Sequence, residues 1–294
     1  MNLMNYEALR IIRNPSPRLV KESQQLLERM NIYHKWNKTM GSGVKIAVVD
    51  TGVETSHPDL KHAAGKTFNS FTHTSDVRDV QGHGTHVAGI IFGNGLIQGV
   101  APEADMLAVK ALNDQGSGSN QSVARGIQWA VAQGADVICM SLGSDYPSRE
   151  IERAVDAAAR EDVICVCAAG NDAHGRQDII SIDYPAAYEN TIAVGAIDTK
   201  RKIANFSSVG NVDVVSYGVD ILSAFPGGQY AIFSGTSMAT PYIAGCIGLI
   251  QANAKNRLGR RLSLVEIKTL LILNAADLGA PGYDKVYGYG KFKF

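Results

Sequence analysis

Cysteine is scarce in this chain, and neither sign of charge is in excess. Four cysteines in 294 residues leave no disulfide framework to read, and 28 basic side chains balance 28 acidic ones. A neutral balance removes the attraction that nucleic acid or an anionic membrane would need, so neither is expected as a partner. Apolar runs are short too: none approaches the roughly 18 residues of a membrane span. The opening MNLMNYEALRIIRNPSPRLVKES lacks the apolar core of a secretory leader, because Asn2, Asn5, Glu7 and Arg10 interrupt every candidate. These absences predict a soluble, cytoplasmic protein. Its 45% apolar content excludes a largely disordered chain and suffices for one large α/β core.

The four cysteines fit a reducing compartment. Cys165 and Cys167, in VICVCAA, fall on one face of a strand, where side chains alternate. Without C-x-x-C spacing or a nearby histidine they read as buried thiols rather than metal ligands.

Two prolines in NPSPR (14–18) predict extended or turning chain, followed by a helix that carries Leu19, Leu26, Leu27 and Met30 on one face. Beyond it, apolar strands alternate with helices. Strands are expected at 44–50, 105–112, 136–142 and 162–171, and helices at 85–92, 120–134 and 148–161. Fully apolar strands in such alternation predict a mostly parallel sheet covered by helices on both faces, a three-layer α/β fold. Active residues of such sheets sit at the carboxyl ends of strands, where Asp50, Ser141 and Asn171 stand here.

Three segments carry candidate chemistry: AVVDTGVETSHPDL (47–60), GHGTHVAG (82–89) and SGTSMATPYIAG (234–245). Singly each has a bland alternative. Asp50 could cap a turn or belong to the D-T-G of an aspartic protease. His83 and His86 could be core or metal histidines, and Ser237 an ordinary helix cap. Together they supply a hydroxyl nucleophile, an imidazole to take its proton and a carboxylate to orient the imidazole. A serine opening a helix also aims its own N–H at a developing oxyanion.

In this order the motifs resemble the subtilisin family: DTG, HPDL, GHGTHVAG, GVAPEA, SLG, AAGN, YPAAY, FSSVG and GTSMATP all occur, over roughly residues 22–290. YPAAY and the missing leader are most similar to intracellular subtilisins. The resemblance implies a serine endopeptidase with a subtilisin-like catalytic domain at 21–294, acting on peptides or proteins. It implies Asp50 as the orienting carboxylate, His83 as general base, Ser237 as nucleophile and the Asn171 amide in the oxyanion hole. His86 has no role in the match and reads as a core histidine. Ser117 and Gly118 match one strand that pairs with substrate backbone, and Ser141, Leu142 and Gly143 match the other. Asp183 falls at the floor of the pocket for the residue before the scissile bond (P1). A buried carboxylate there predicts preference for Lys or Arg; the alternative is a loop carboxylate turned to solvent.

No cofactor is required for such chemistry, but the family carries structural calcium. Asp59 matches a ligand of its principal site, with Asn94 in the partner loop. That loop is shorter than usual, and these two side chains fall short of the six to eight oxygens calcium takes, so the site reads as closer to lost than kept. Carbonyls of Ala186, Tyr188 and Thr191 match a second, weaker cation site. Two departures, Ser216–Tyr217–Gly218 for Ala-Pro-Gly and Tyr242 for a histidine, lie outside the triad.

Residues 1–20 form a short extension, too small for the folding prodomain of secreted relatives. In intracellular relatives such a segment lies across the cleft and restrains activity, which the resemblance implies for RIIRNPSPRL (10–19); cleavage at Arg18 and a disordered leader are the alternatives. Two other functions stay open: a dedicated protease that removes leader peptides from modified bacterial peptides, and an inactive subtilisin fold that only binds.

Overall fold

The computed structural model describes residues 1–2, 7–176 and 178–294. Its strands are β1 (Glu7–Ile12), β2 (Lys45–Asp50), β3 (Ala64–Asn69), β4 (Asp105–Lys110), β5 (Val137–Met140), β6 (Ile164–Ala168), β7 (Thr191–Ile197), β8 (Val214–Tyr217), β9 (Ile221–Phe225), β10 (Gln229–Ser234), β11 (Ala275–Ala276) and β12 (Lys291–Phe292). Its helices are α1 (Pro17–Arg29), α2 (Ile32–Trp36), α3 (His83–Phe92), α4 (Asn120–Ala132), α5 (Arg149–Arg160), α6 (Thr236–Leu258) and α7 (Leu264–Leu273).

Nine strands form one sheet in the order β11-β12-β8-β7-β6-β5-β2-β4-β3. All neighbours run parallel except β11 and β12. The alternation of side chains sorts each central strand between two cores. Ile46 and Val48 of β2, Met106 and Ala108 of β4, and Ile164 and Val166 of β6 enter one core. Ala47, Val49, Leu107, Val109, Cys165 and Cys167 enter the other. Helices α3 and α6 cover the first face, and α4 and α5 the second. This is the three-layer α/β architecture. Asp50 ends β2, the strand between β4 and β5, which brings a carboxylate to the carboxyl edge near the middle of the sheet.

The cysteines are all free and buried, and burial holds the Cys165 thiol protonated by raising its pKa to about 12. His86 is likewise a core residue. It stacks on Phe233 at 4.3 Å and its Nε2 lies 3.0 Å from the Ile221 carbonyl, while burial lowers its pKa to about 3.

The second proline of NPSPR does not extend the chain as the motif predicts. Ser16 caps α1, its hydroxyl accepting from Leu19 N–H, and Pro17 takes the first helical position, where its missing N–H costs nothing. Helix α1 thus crosses the boundary expected at residue 20. Upstream of it, β1 pairs antiparallel with β10, which pairs with β9, in a separate three-stranded sheet. Residues 3–6 of the extension lie outside the described residues.

Candidate active site

The D-T-G segment and α3 meet edge to edge. His83 is the first residue of α3, and its Nδ1 lies 2.8 and 3.0 Å from the two Asp50 oxygens. An ionised carboxylate accepts only, so Nδ1 carries the proton and Nε2 remains the basic nitrogen. The approach needs glycine at 84, since a Cβ there would sit 2.1 Å from the Gly52 carbonyl and 3.1 Å from Asp50 Cβ. Asp50, His83 and Ser237 are all fully buried.

A residue that the motifs did not single out holds this pair in place. Asp79 is buried, and its Oδ1 accepts from Thr51 Oγ1 and Gly82 N–H, both at 2.8 Å. Its Oδ2 accepts from Thr85 N–H at 2.8 Å and Thr85 Oγ1 at 2.6 Å. Thr51 Oγ1 in turn accepts from Gly84 N–H at 3.0 Å. Asp79 therefore clamps the D-T-G turn to the first turn of α3. Burial raises its pKa, and its four hydrogen bonds oppose that shift. The available signal was an aspartate three residues before Gly82, the spacing of a side chain that reaches a helix start.

Ser237 is the second residue of α6. The cap residue Gly235 has no side chain, so no cap competes for the Ser237 N–H. Pro241 lies one turn on and brings no N–H to the Ser237 carbonyl. Ser141 Oγ supplies the missing donor at 2.9 Å, and Ser237 Oγ donates back to the Ser141 carbonyl at 3.3 Å. Asn171 Oδ1 accepts from Thr236 N–H and Thr236 Oγ1, each at 2.9 Å. With the carbonyl oxygen committed to α6, the amide nitrogen turns the other way, along Gly235, where a Cβ would come within 3.3 Å of it.

The two expected substrate strands flank a gap that the chain's own first residues enter, rather than RIIRNPSPRL, which is divided between β1 and α1. Met1 N donates to the Gly118 carbonyl at 2.9 Å, and Gly118 N–H returns a bond to the Met1 carbonyl at 2.8 Å. Asn2 and Gly143 exchange both backbone bonds at 3.1 Å. Asn2 thus bridges antiparallel to Ser117 on one side and Gly143 on the other, while Leu142 is buried behind.

Asp183 is 5% exposed and not turned to solvent. Its N–H donates to the Ala169 carbonyl at 2.9 Å, and the next residue pairs with Ser144, at the end of the Ser141–Gly143 strand. A Cβ on Gly170, whose φ is +116°, would meet the Asp183 carboxylate at 3.0 Å. The carboxylate therefore lies between the segment leading to Asn171 and the segment following Ser141. Asp145 and Asp172, both exposed, offer oxygens within 4.8 Å of it and of each other. Burial first, then these two charges, raise the Asp183 pKa to about 7.

The proposed calcium ligands do not fit the ion. Asp59 Oδ1 accepts from Leu96 N–H at 3.1 Å, and Oδ2 from Ile97 N–H at 2.9 Å and Tyr230 OH at 3.1 Å. Asn94 meets Asp59 through its backbone N–H, not its side-chain oxygen. Hydrogen-bond donors thus crowd the carboxylate where a cation would need oxygens. At the second set, the Ala186 and Tyr188 carbonyls converge on Thr191 Oγ1 at 3.1 and 2.8 Å. The Lys268 ammonium stands nearby, 3.2 Å from Asp213 and 3.4 Å from the Glu189 carbonyl.

Residues 41–290 match the signature of the subtilase family. The chain belongs to the subtilase family. Among similar proteins is an intracellular serine protease of Paenibacillus polymyxa, 42% identical over 276 residues, 89% of this chain and 84% of the relative. The major intracellular serine protease of Bacillus subtilis (strain 168) is 41% identical over 253 residues, covering 83% and 79%. Subtilisin Savinase of Lederbergia lenta is 43% identical over 254 residues, covering 85% and 88%. No helix of this subtilase, among the described residues, is long and apolar enough to cross a membrane.

Proposed function

We propose that this subtilisin-type serine endopeptidase cuts its substrates through Asp50, His83 and Ser237, with Asn171 in the oxyanion hole. The observation that carries the reading is the Asp50–His83 contact, which fits the tautomer a general base requires. As peptide binds, the Ser237 hydroxyl turns from the Ser141 carbonyl to His83 Nε2 and attacks the scissile carbonyl. The oxyanion then receives the Ser237 N–H and the Asn171 amide, whose orientation Thr236 has already set. His83 returns the proton to the leaving amine, and water repeats the sequence on the acyl-enzyme. No cofactor enters these steps. A fluorophosphonate probe tests the reading: it should label Ser237, and Ser237→Ala should abolish labelling. A wild-type enzyme without its extension that resists the probe would support a binding protein instead.

The extension restrains the enzyme by acting as a pseudo-substrate. The bonds of Met1 and Asn2 to Gly118 and Gly143 are those a peptide strand would make. Cleavage at Arg18 is less favoured, because Arg18 lies in the first turn of α1 and pairs with Glu22 at 2.9 Å. Removal of residues 1–6 should lower KM on a tetrapeptide substrate on the order of tenfold, since an attached competitor acts at millimolar effective concentration. An unchanged KM would exclude this restraint.

Asp183 selects Lys or Arg at P1, as a buried carboxylate within reach of two others would. That acidic floor also favours a narrower reading, a processing protease rather than one for general turnover. Efficient degradation of casein at sites without Lys or Arg would rule the narrow reading out. The intracellular relatives support action inside the cell. The donors around Asp59 support a fold that is held there without calcium.

A further inference from the structure

One cavity, of about 440 Å³, shares no residue with the catalytic site and is walled by cations. Arg29 ends α1, Lys200 and Arg201 sit in the turn after β7, and Lys291 and Lys293 lie in and beside β12. The chain as a whole carries no net charge, so this concentration does not reflect a basic protein. None of the five pairs with a carboxylate among the described residues.

Lys291 makes the arrangement costly. Its residue is 4% exposed, its ammonium donates to the Arg29 carbonyl at 2.9 Å, and it lies 5.0 Å from the Tyr217 ring centroid. Burial and the charges of Arg201, Lys293 and Arg29 lower its pKa to about 8. A buried ammonium surrounded by like charge is unfavourable unless something anionic compensates it. Arg29 is held in place as well, donating to the Thr199 carbonyl at 2.8 Å. The turn that carries Arg201 has a left-handed residue, with φ +65°, and is fastened by the Lys200 and Lys202 N–H groups, which both donate to the Asp198 carboxylate.

We infer that this cavity binds a phosphoryl group, as inorganic phosphate or a phosphomonoester, between Arg29, Arg201, Lys291 and Lys293. Two guanidinium forks and two ammonium groups offer more positive charge than one carboxylate balances, and they match the several oxygens of a dianion. The volume is within the range of small-ligand sites. Such a ligand would fasten the end of α1, the turn after β7 and the C-terminal strand to one another, and so stabilise the fold by mass action.

The test is thermal unfolding and calorimetry of the full chain with inorganic phosphate, with glycerol 3-phosphate and with chloride at matched ionic strength. Phosphate should raise the melting temperature and release heat on binding, and chloride should do neither. Tighter binding of glycerol 3-phosphate would assign the site to a phosphomonoester, and equal or weaker binding to free phosphate. Arg201→Gly suits the left-handed backbone and keeps the fold, and Lys293→Ala changes an exposed side chain. Each should weaken phosphate binding about tenfold or more while peptidase activity without phosphate stays unchanged. Equal shifts in phosphate and chloride, or full binding in both variants, would overturn the inference.

Discussion

On the reading proposed for Asp183, its replacement by serine removes the acidic floor of the P1 pocket and nothing that holds the triad. Its raised pKa, about 7 against an ordinary 3.8, reports the cost of ionising it in the empty pocket. Three pH units correspond to at most about 4 kcal/mol, and the open side of the cleft reduces that. A P1 ammonium or guanidinium turns this cost into attraction, because a charge-assisted hydrogen bond contributes about 1.5–3 kcal/mol. The ratio of kcat/KM for a P1 Lys peptide to its norleucine counterpart should therefore fall roughly 10- to 150-fold in Asp183→Ser. Any effect of pH on the chemical step is common to both peptides and cancels in the ratio.

The same ratio should depend on pH in the wild type. Below about 7 Asp183 is protonated in the free enzyme, so Lys preference should climb as pH rises and level off above that value. Stability should move the opposite way. The fold holds a proton that the unfolded chain releases near 3.8, so this group makes stability fall between about pH 4 and pH 7 and leaves it flat above. Asp183→Ser should remove that slope and stabilise the protein at pH 8. A Lys-to-norleucine ratio that ignores pH, or that survives the substitution, would refute the placement of this carboxylate in the pocket.

Other perturbations test the supports of the site. Asp79→Asn replaces an acceptor of four hydrogen bonds by a group that can accept at only one atom; about 2–3 kcal/mol of stability should go, with kcat reduced more than KM, as denaturation and steady-state kinetics would show. Asn171→Ala should lower kcat by about 10²–10³ with little change in KM, a magnitude known from subtilisin itself rather than worked from this structure. Ser141→Ala should cost about 1–3 kcal/mol by stranding the Ser237 carbonyl, and adding Pro241→Ala should recover part of it by restoring a helical N–H. A chelator should leave the melting temperature unchanged, whereas Tyr230→Phe should lower it by about 2–4 °C for each kcal/mol lost at Asp59.

What was legible in the sequence follows the range of the interaction concerned. Strand β2 is readable because five apolar residues between Val44 and Val49 feed two cores by simple alternation, and Asp50 then has to stand at the sheet edge. The α3 and α6 starts are readable because glycine before His83 and before Ser237 marks a turn into a helix. Strand β1 is not, since its pairing depends on β10, more than 200 residues later, and EALRII shows no alternation of its own. Pro17 misled for a related reason. A proline after serine is as good a helix opener as a breaker, and only the buried Leu26 and Leu27 behind it decide which.

Asp79 and Ser141 show a subtler limit. Each is an ordinary polar residue whose role comes from an absence elsewhere: Asp79 takes the Thr51 hydroxyl of the D-T-G turn and two N–H groups at a helix start that has no capping side chain of its own, and Ser141 serves a carbonyl that Pro241 cannot reach. Such roles are invisible to a motif but can be sought by asking which backbone group a proline or glycine has left without a partner. Applied to GTSMATP, that question locates the residue opposite the nucleophile. The proline that interrupts α6 is then a reason for the Ser141–Ser237 contact, and in the proposed mechanism that contact joins the nucleophile to a strand that also holds the substrate.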